Sequence, residues 1–312
     1  MNRIFVPLLA FFILSGSPLS ANEPITPLPK NPSYNKLQAD LGKRLFFDPL
    51  LSKDQTVSCA SCHSPQRGGA DGRALSTGVG GKQGNMNAPT VFNSSLNIAQ
   101  FWNGRAKDLA AQALGPIQNP VEMNLSLEEL LKRLKRHATY PKAFTQVFGS
   151  GEITTEKVAL AIAEFEKALI SPNSRFDRYL RGELKLSAEE QAGYKLFKSS
   201  GCISCHNGAL VGGNSFQRVG VVNSYEWHAG EADLFAVTGL EQDKNRFKVP
   251  SLRMAASTAP YFHNGKIVTL EAAIITMGYY NLGVSLGDKE VHALKKFIES
   301  LQGERPAILE EP

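Results

Sequence analysis

Apolar residues recur at helical spacing in several separate stretches of the chain. Leu37, Leu41 and Leu45 share one face of a predicted amphipathic helix carrying Gly42-Lys43-Arg44-Leu45-Phe46. A second predicted helix carries the similar run Gly193-Tyr194-Lys195-Leu196-Phe197. Further helices open at Leu109-Ala110-Ala111 and at Leu270-Glu271-Ala272-Ala273. The last helix, about Leu286 to Leu301, turns Val291, Leu294, Phe297, Ile298 and Leu301 inward. Between Val219 and Asp243 there is little period and many turn formers, which reads as a long loop. Arg305 to Pro312 reads as a loose tail whose last residues are free to pack back on the first domain. The predicted class is mainly α, with long loops and little strand.

One apolar run is different. Arg3 precedes Ile4 to Leu14, and small residues follow up to Ala21, the pattern of a secretory signal. The run is too short for a membrane span, which needs about 20 residues. The expected location is therefore the periplasm, with no span after cleavage. The chain of 312 residues is long enough for about two domains, and 42% apolar content can supply both cores. A net charge of +5 without a Lys/Arg block argues against a nucleic-acid partner.

The four cysteines change the picture most. All lie in Cys59-Ala60-Ser61-Cys62-His63 and Cys202-Ile203-Ser204-Cys205-His206. In an exported chain, C-x-x-C-H is the attachment signature of c-type haem. Two thiols at this spacing form thioethers to the haem vinyl groups, and the adjacent His reaches the iron. A zinc ribbon would use the cysteines and leave both histidines unexplained. The cofactors expected are two covalent haems c.

The likeness between the halves extends beyond these motifs. Ala88-Pro89-Thr90-Val91 parallels Val249-Pro250-Ser251-Leu252, and Phe101-Trp102-Asn103-Gly104-Arg105 parallels Phe262-His263-Asn264-Gly265-Lys266. The expected architecture is thus two cytochrome c-like haem domains related by internal duplication. Residues 1–21 form the signal, 22–182 the N-terminal domain and 183–312 the C-terminal domain. Twelve residues beyond Gly265 stands Met277; twelve beyond Gly104 stands Pro116. Met supplies a thioether ligand to haem iron, whereas Pro has no donor. Helical spacing alone would equally make Met277 a core residue; its place in the repeat favours ligation. One haem is then closed by His206 and Met277, and the other, on His63, is open. Near the open position lie Gln112 and Glu122, suited to hold a bound oxygen and to move a proton, and otherwise solvated surface groups.

With these residues in view, the chain resembles the bacterial dihaem cytochrome c peroxidases and, more distantly, MauG-type enzymes. The likeness runs from about Leu41 to Gly303. It is carried by both haem motifs, by Asn87 to Asn93, by Ala99 to Leu109, by Gly115-Pro116-Ile117-Gln118 with Val121-Glu122-Met123-Asn124, by Pro172 to Asp177, by Thr258 to Gly265 and by Met277-Gly278. The resemblance implies a peroxidase that reduces hydrogen peroxide with electrons from a small soluble cytochrome c or cupredoxin. It implies Glu122 as acid/base, Gln112 and Pro116 in the distal pocket, and Trp102 between the haems, where ordinary interface packing is the alternative. It also implies calcium held by Asn87, Thr258 and Pro260, and a homodimer. Many members have His after Ser-Thr-Gly, where it blocks the peroxidatic iron until reduction; this chain has Ser76-Thr77-Gly78-Val79. That departure predicts a haem open without prior reduction, beside a mobile Gly78–Gly84 loop, unless Met86, Lys82 or His137 substitutes. Two alternatives stand beside the peroxidase: a MauG-like oxidase acting on a partner protein, with Tyr279 or Tyr280 near the ligand position, and a dihaem electron carrier. His137, His228 and His292 read as surface or helix-end residues.

Overall fold

The computed structural model describes residues 23–149, 151–226 and 232–310. The expected signal and His228 lie outside these residues. The first helix, α1 (Lys36–Phe47), is capped by Asn35, whose side chain accepts from Gln38 N. A single turn, α2 (Cys59–Cys62), follows, and α3 (Leu109–Gln118), α4 (Leu127–Arg136), α5 (Tyr140–Phe148) and α6 (Thr155–Ala168) complete the first half. The second half holds α7 (Arg175–Leu180), α8 (Ala188–Ser199), the single turn α9 (Phe235–Thr238), α10 (Leu270–Met277) and α11 (Asp288–Ser300). Strands β1 (Phe216–Arg218) and β2 (Arg246–Lys248) pair antiparallel in the one sheet among the described residues.

Two apolar cores organise these elements. Leu45 and Phe46 of α1, Ile117 of α3, Leu130 of α4, Phe144 of α5 and Phe165 of α6 belong to the first. Phe176, Tyr194, Phe197, Ile274, Leu294 and Phe297 belong to the second. There the Phe176 ring stands edge-on to Tyr194 and Phe297, with centroids 4.7 and 5.1 Å away. The ends of the chain cross over. Ile25 packs in the second core, and Ile308 in the first, where its carbonyl accepts from Lys43 Nζ at 3.0 Å. The tail is therefore anchored as far as Ile308, not loose: one buried side chain in a polar tail is enough to dock it. Near the start, Arg253 is fully buried, pairs with Asp177 at 2.7 Å and donates to Thr26 O.

Each core is built on one tight helix pair. In α1, a Cβ on Gly42 would sit 1.8 Å from Ala161 O of α6; in α8, a Cβ on Gly193 would sit 1.9 Å from Ala293 O of α11. Only glycine allows the backbones this close. Gly193→Ala is expected to cost about 2–3 kcal/mol, since the helices must part. Urea unfolding of the variant would read the loss, and wild-type stability would contradict the packing.

Local backbone features also recur between the halves. Phe101 and Phe262 both have positive φ, of 66° and 68°. Isolated bridges join Gln100 to Ala106 and Tyr261 to Ile267. Helix α3 then starts at Leu109 with Asp108 as cap, and α10 at Leu270 with Thr269 as cap. Pro116 and Met277 are each the eighth residue of their helix. Of the expected 219–243 loop, the described residues 219–226 are irregular and the end forms α9, where Gly239 (φ 69°) ends the turn and Thr238 Oγ1 donates to Asp243. Val222 N and Asn223 N donate to Tyr280 O, which holds the loop against the turn following Met277.

Candidate functional site

A cavity of about 400 Å³ is lined by residues of both halves, and all four cysteines and both motif histidines face it. That volume suits a cofactor or small-molecule site. None of the cysteines is in a disulfide. Burial, with Glu166 adding to it, pushes the Cys59 thiol up to about 12, so it stands in the wall as a neutral thiol. The two histidines are held alike. His63 Nδ1 lies 3.3 Å from Gly69 O, and His206 Nδ1 lies 3.2 Å from Val211 O. A carbonyl only accepts, so Nδ1 carries the proton and Nε2 presents its lone pair. Burial lowers both imidazole pKa values, that of His206 to about 4, which keeps them neutral. Neutral imidazoles with oriented Nε2, each beside two unpaired thiols in one cavity, fit covalent haem.

The two sides of the cavity differ in their other helix. Met277, the last residue of α10, lines it, and so does Pro116 of α3. Tyr279 and Tyr280 do not; they stack edge-to-face on each other, and Tyr280 on Tyr225. Gln112, one turn before Pro116, and Glu122 line the Pro116 side. Asn119 caps the end of α3, and its Nδ2 donates to Glu122 Oε1 at 2.5 Å. Burial raises the pKa of Glu122, against the opposing effects of Asn119 and of the positive charge of Arg105. The Arg105 guanidinium lies 3.3 Å from the centre of the Phe101 ring. Asn119 and Arg105 were not singled out by sequence; the Asn119-Pro120 turn signal was the available cue.

The Gly78–Gly84 segment is a hydrogen-bonded hairpin. Gly78 N donates to Lys82 O, Gly84 N to Ser76 O, and Val79 N to Glu122 O at 2.8 Å. A Cβ on Gly78 would lie 2.3 Å from Val121 O, so the hairpin is pressed onto the Glu122 strand of chain. The Val79 side chain is 3% exposed and packs in the first core, outside the cavity wall. Of the three substitutes, Lys82 donates to Pro120 O, and His137 caps α4 against Tyr140; neither faces the cavity. Met86 does. His292 sits on α11, 3.2 Å from Glu189.

Trp102 is half-buried in the cavity wall and its Nε1 donates to Asn87 O at 2.9 Å. Asn87, Thr258 and Pro260 line the same space. Asn87 Nδ2 donates to Arg73 O at 2.8 Å, which leaves Oδ1 as the atom to face a cation. Amide and carbonyl oxygens of this kind fit a hard ion such as calcium. Glu166 of α6 also lines the cavity; burial raises its pKa to about 8, and its Oε2 has no partner among the described residues.

Comparisons with known proteins point to one family. Residues 36–185 match the model of the di-haem cytochrome c peroxidase family. A cytochrome c551 peroxidase of Nitrosomonas europaea is 46% identical over 96% of this chain and 90% of its own length. One of Pseudomonas aeruginosa is 41% identical over 92% of this chain and 84% of its own. The crystal structure of a MauG-like protein associated with microbial copper homeostasis superposes with a TM-score of 0.79 at 29% identity, covering 89% of this chain and 93% of that one.

Proposed function

Since the chain belongs to the di-haem cytochrome c peroxidase family and is an oxidoreductase acting on peroxide, we propose a division of labour between its two haem c sites. The N-terminal site, on His63, takes hydrogen peroxide, and the C-terminal site, on His206 and Met277, relays electrons. The observation that carries this reading is the eighth position of two matching helices: Met277 offers a ligand to one side of the cavity and Pro116 offers none to the other. When bound, haem supplies the iron that accepts and passes on electrons. The overall change consumes one peroxide, two electrons and two protons and yields two waters.

The chain's own residues handle the protons. Glu122 would accept one proton of hydrogen peroxide and give it back to the departing oxygen, so that breaking the O–O bond releases water, with the two electrons of the overall change supplied through the haems. Asn119 fixes the Glu122 carboxylate, and Gln112 would hold the peroxide by hydrogen bonding. Trp102 stands between the halves as the coupling group. Asn87, Thr258 and Pro260 would hold calcium next to it, and the Trp102–Asn87 hydrogen bond ties the indole to that ion's position. We read the paired backbone features as a duplicated domain, with halves at 22–182 and 183–312. The expected setting is the periplasm, as a homodimer fed by a small cytochrome c or cupredoxin. The MauG-like alternative, a protein-modifying oxidase, is less well supported, because Tyr279 and Tyr280 turn away from the cavity while Met277 faces it.

Peroxide titration followed by haem absorption tests the reading. The partly reduced protein should react with one equivalent of peroxide, and a reduced small donor should then sustain turnover. Val79 has no donor and is buried in the core, and of the three substitutes only Met86 lines the cavity, so unless Met86 takes the ligand position the fully oxidised protein should also show a high-spin ferric signal and react. Two low-spin haems that ignore peroxide before reduction would exclude the open site, and no reaction in either state would leave a dihaem electron carrier.

A further inference from the structure

Lys248 is a buried cation with no role in the scheme above. It ends β2, is 8% exposed and lines the cavity. Its Nζ donates to Ala99 O at 2.8 Å, and its backbone N donates to Trp102 O at 2.7 Å. One residue thus holds the loop that carries Trp102 at two points. No carboxylate of the described residues forms an ion pair with the ammonium; Glu122 is held by Asn119, and Glu166 Oε2 has no hydrogen-bond partner. Burial alone lowers the Lys248 pKa to about 8. A buried ammonium with a single carbonyl partner is costly unless an anion joins it. The group that the cavity fits brings such anions, because each haem c carries two propionate carboxylates.

We propose that Lys248 anchors a haem propionate, holding the carboxylate by a charge-assisted N–H···O bond at the Trp102 loop. The inference rests on the two-haem reading and adds a positioning residue to it. Its ammonium has three N–H groups, of which Ala99 O takes one. The pair fixes the haem edge relative to Trp102, because the same lysine holds both. A positive charge at the haem periphery favours the reduced iron, so the lysine also raises the potential of the haem it contacts.

The test compares Lys248→Gln and Lys248→Arg in the haem-loaded protein. Gln keeps a donor for Ala99 O and loses the charge; Arg keeps both. Haem content is measured first: fewer than two haems in the wild type overturns the two-haem reading, independently of Lys248. Midpoint potentials of both haems are then read by spectroelectrochemistry. Lys248→Gln should lower one potential and leave the other, and Lys248→Arg should restore it. A shift confined to the low-potential haem assigns the N-terminal propionate, and one confined to the high-potential haem assigns the C-terminal. Loss of a haem in Lys248→Gln that Lys248→Arg retains supports the same role. Unchanged potentials in Lys248→Gln, equal shifts in both variants, or loss of haem from both would overturn it.

Discussion

Glu122→Gln is expected to slow steady-state peroxide reduction roughly 100- to 10,000-fold, the usual worth of a positioned acid/base group, with both haems still attached. The carboxylate has to accept a proton and give it back, and an amide at the same place does neither. The substitution keeps the shape of the site. A Gln Oε1 still accepts from Asn119 Nδ2, and the Val79 N to Glu122 O bond is made by backbone. The loss therefore reads chemistry rather than folding. The pH profile gives a second signature. Burial holds the Glu122 pKa above the usual carboxylate range, so the proton-accepting form is lost as pH falls through that raised value. Wild-type activity should decline on that acid limb, and the residual activity of Glu122→Gln should not. Oxidation of a reduced small donor, followed at a series of pH values, checks both. Near-normal turnover in the variant would remove Glu122 from the mechanism.

Much of the site was legible because its chemistry is local in sequence. A C-x-x-C-H run brings two thiols and a ligand together within one turn, whatever surrounds it. The Pro116–Met277 contrast was legible too, since one alignment of the halves sets it out. What escaped depends on contacts between distant segments. Nothing around Val79 tells that its side chain enters the first core while its amide binds Glu122 O. Nor does a tail rich in Pro and Glu announce that Ile308 is buried in the opposite half. Lys248 and Glu166 are charged types, which are rarely buried without a partner. Their burial follows only from the cavity wall, which residues of both halves assemble and no local pattern announces.

Met277→His carries the second large expectation: a drop in the midpoint potential of the C-terminal haem, on the order of 100 mV or more. A thioether is a soft ligand that favours the reduced iron, whereas imidazole favours the oxidised iron. The site can take the exchange. Met277 ends α10, whose start is fixed by the Thr269 cap, and the Gly278–Leu282 turn after it is held by Val222 and Asn223 through Tyr280 O. The first core and the Glu122 pocket lie on other elements and should be unaffected, so the N-terminal potential should hold. A lower relay potential weakens the driving force for accepting electrons from a small donor. Turnover with that donor should therefore fall, while the protein reduced beforehand still reacts once with peroxide. Tyr279→Phe is the control, because Tyr279 stacks on Tyr280 and stays out of the cavity wall. It should leave both potentials in place. An unchanged C-terminal potential in Met277→His, or a shift in Tyr279→Phe, would move the ligand from Met277 to its neighbour and turn the balance toward the MauG-like reading.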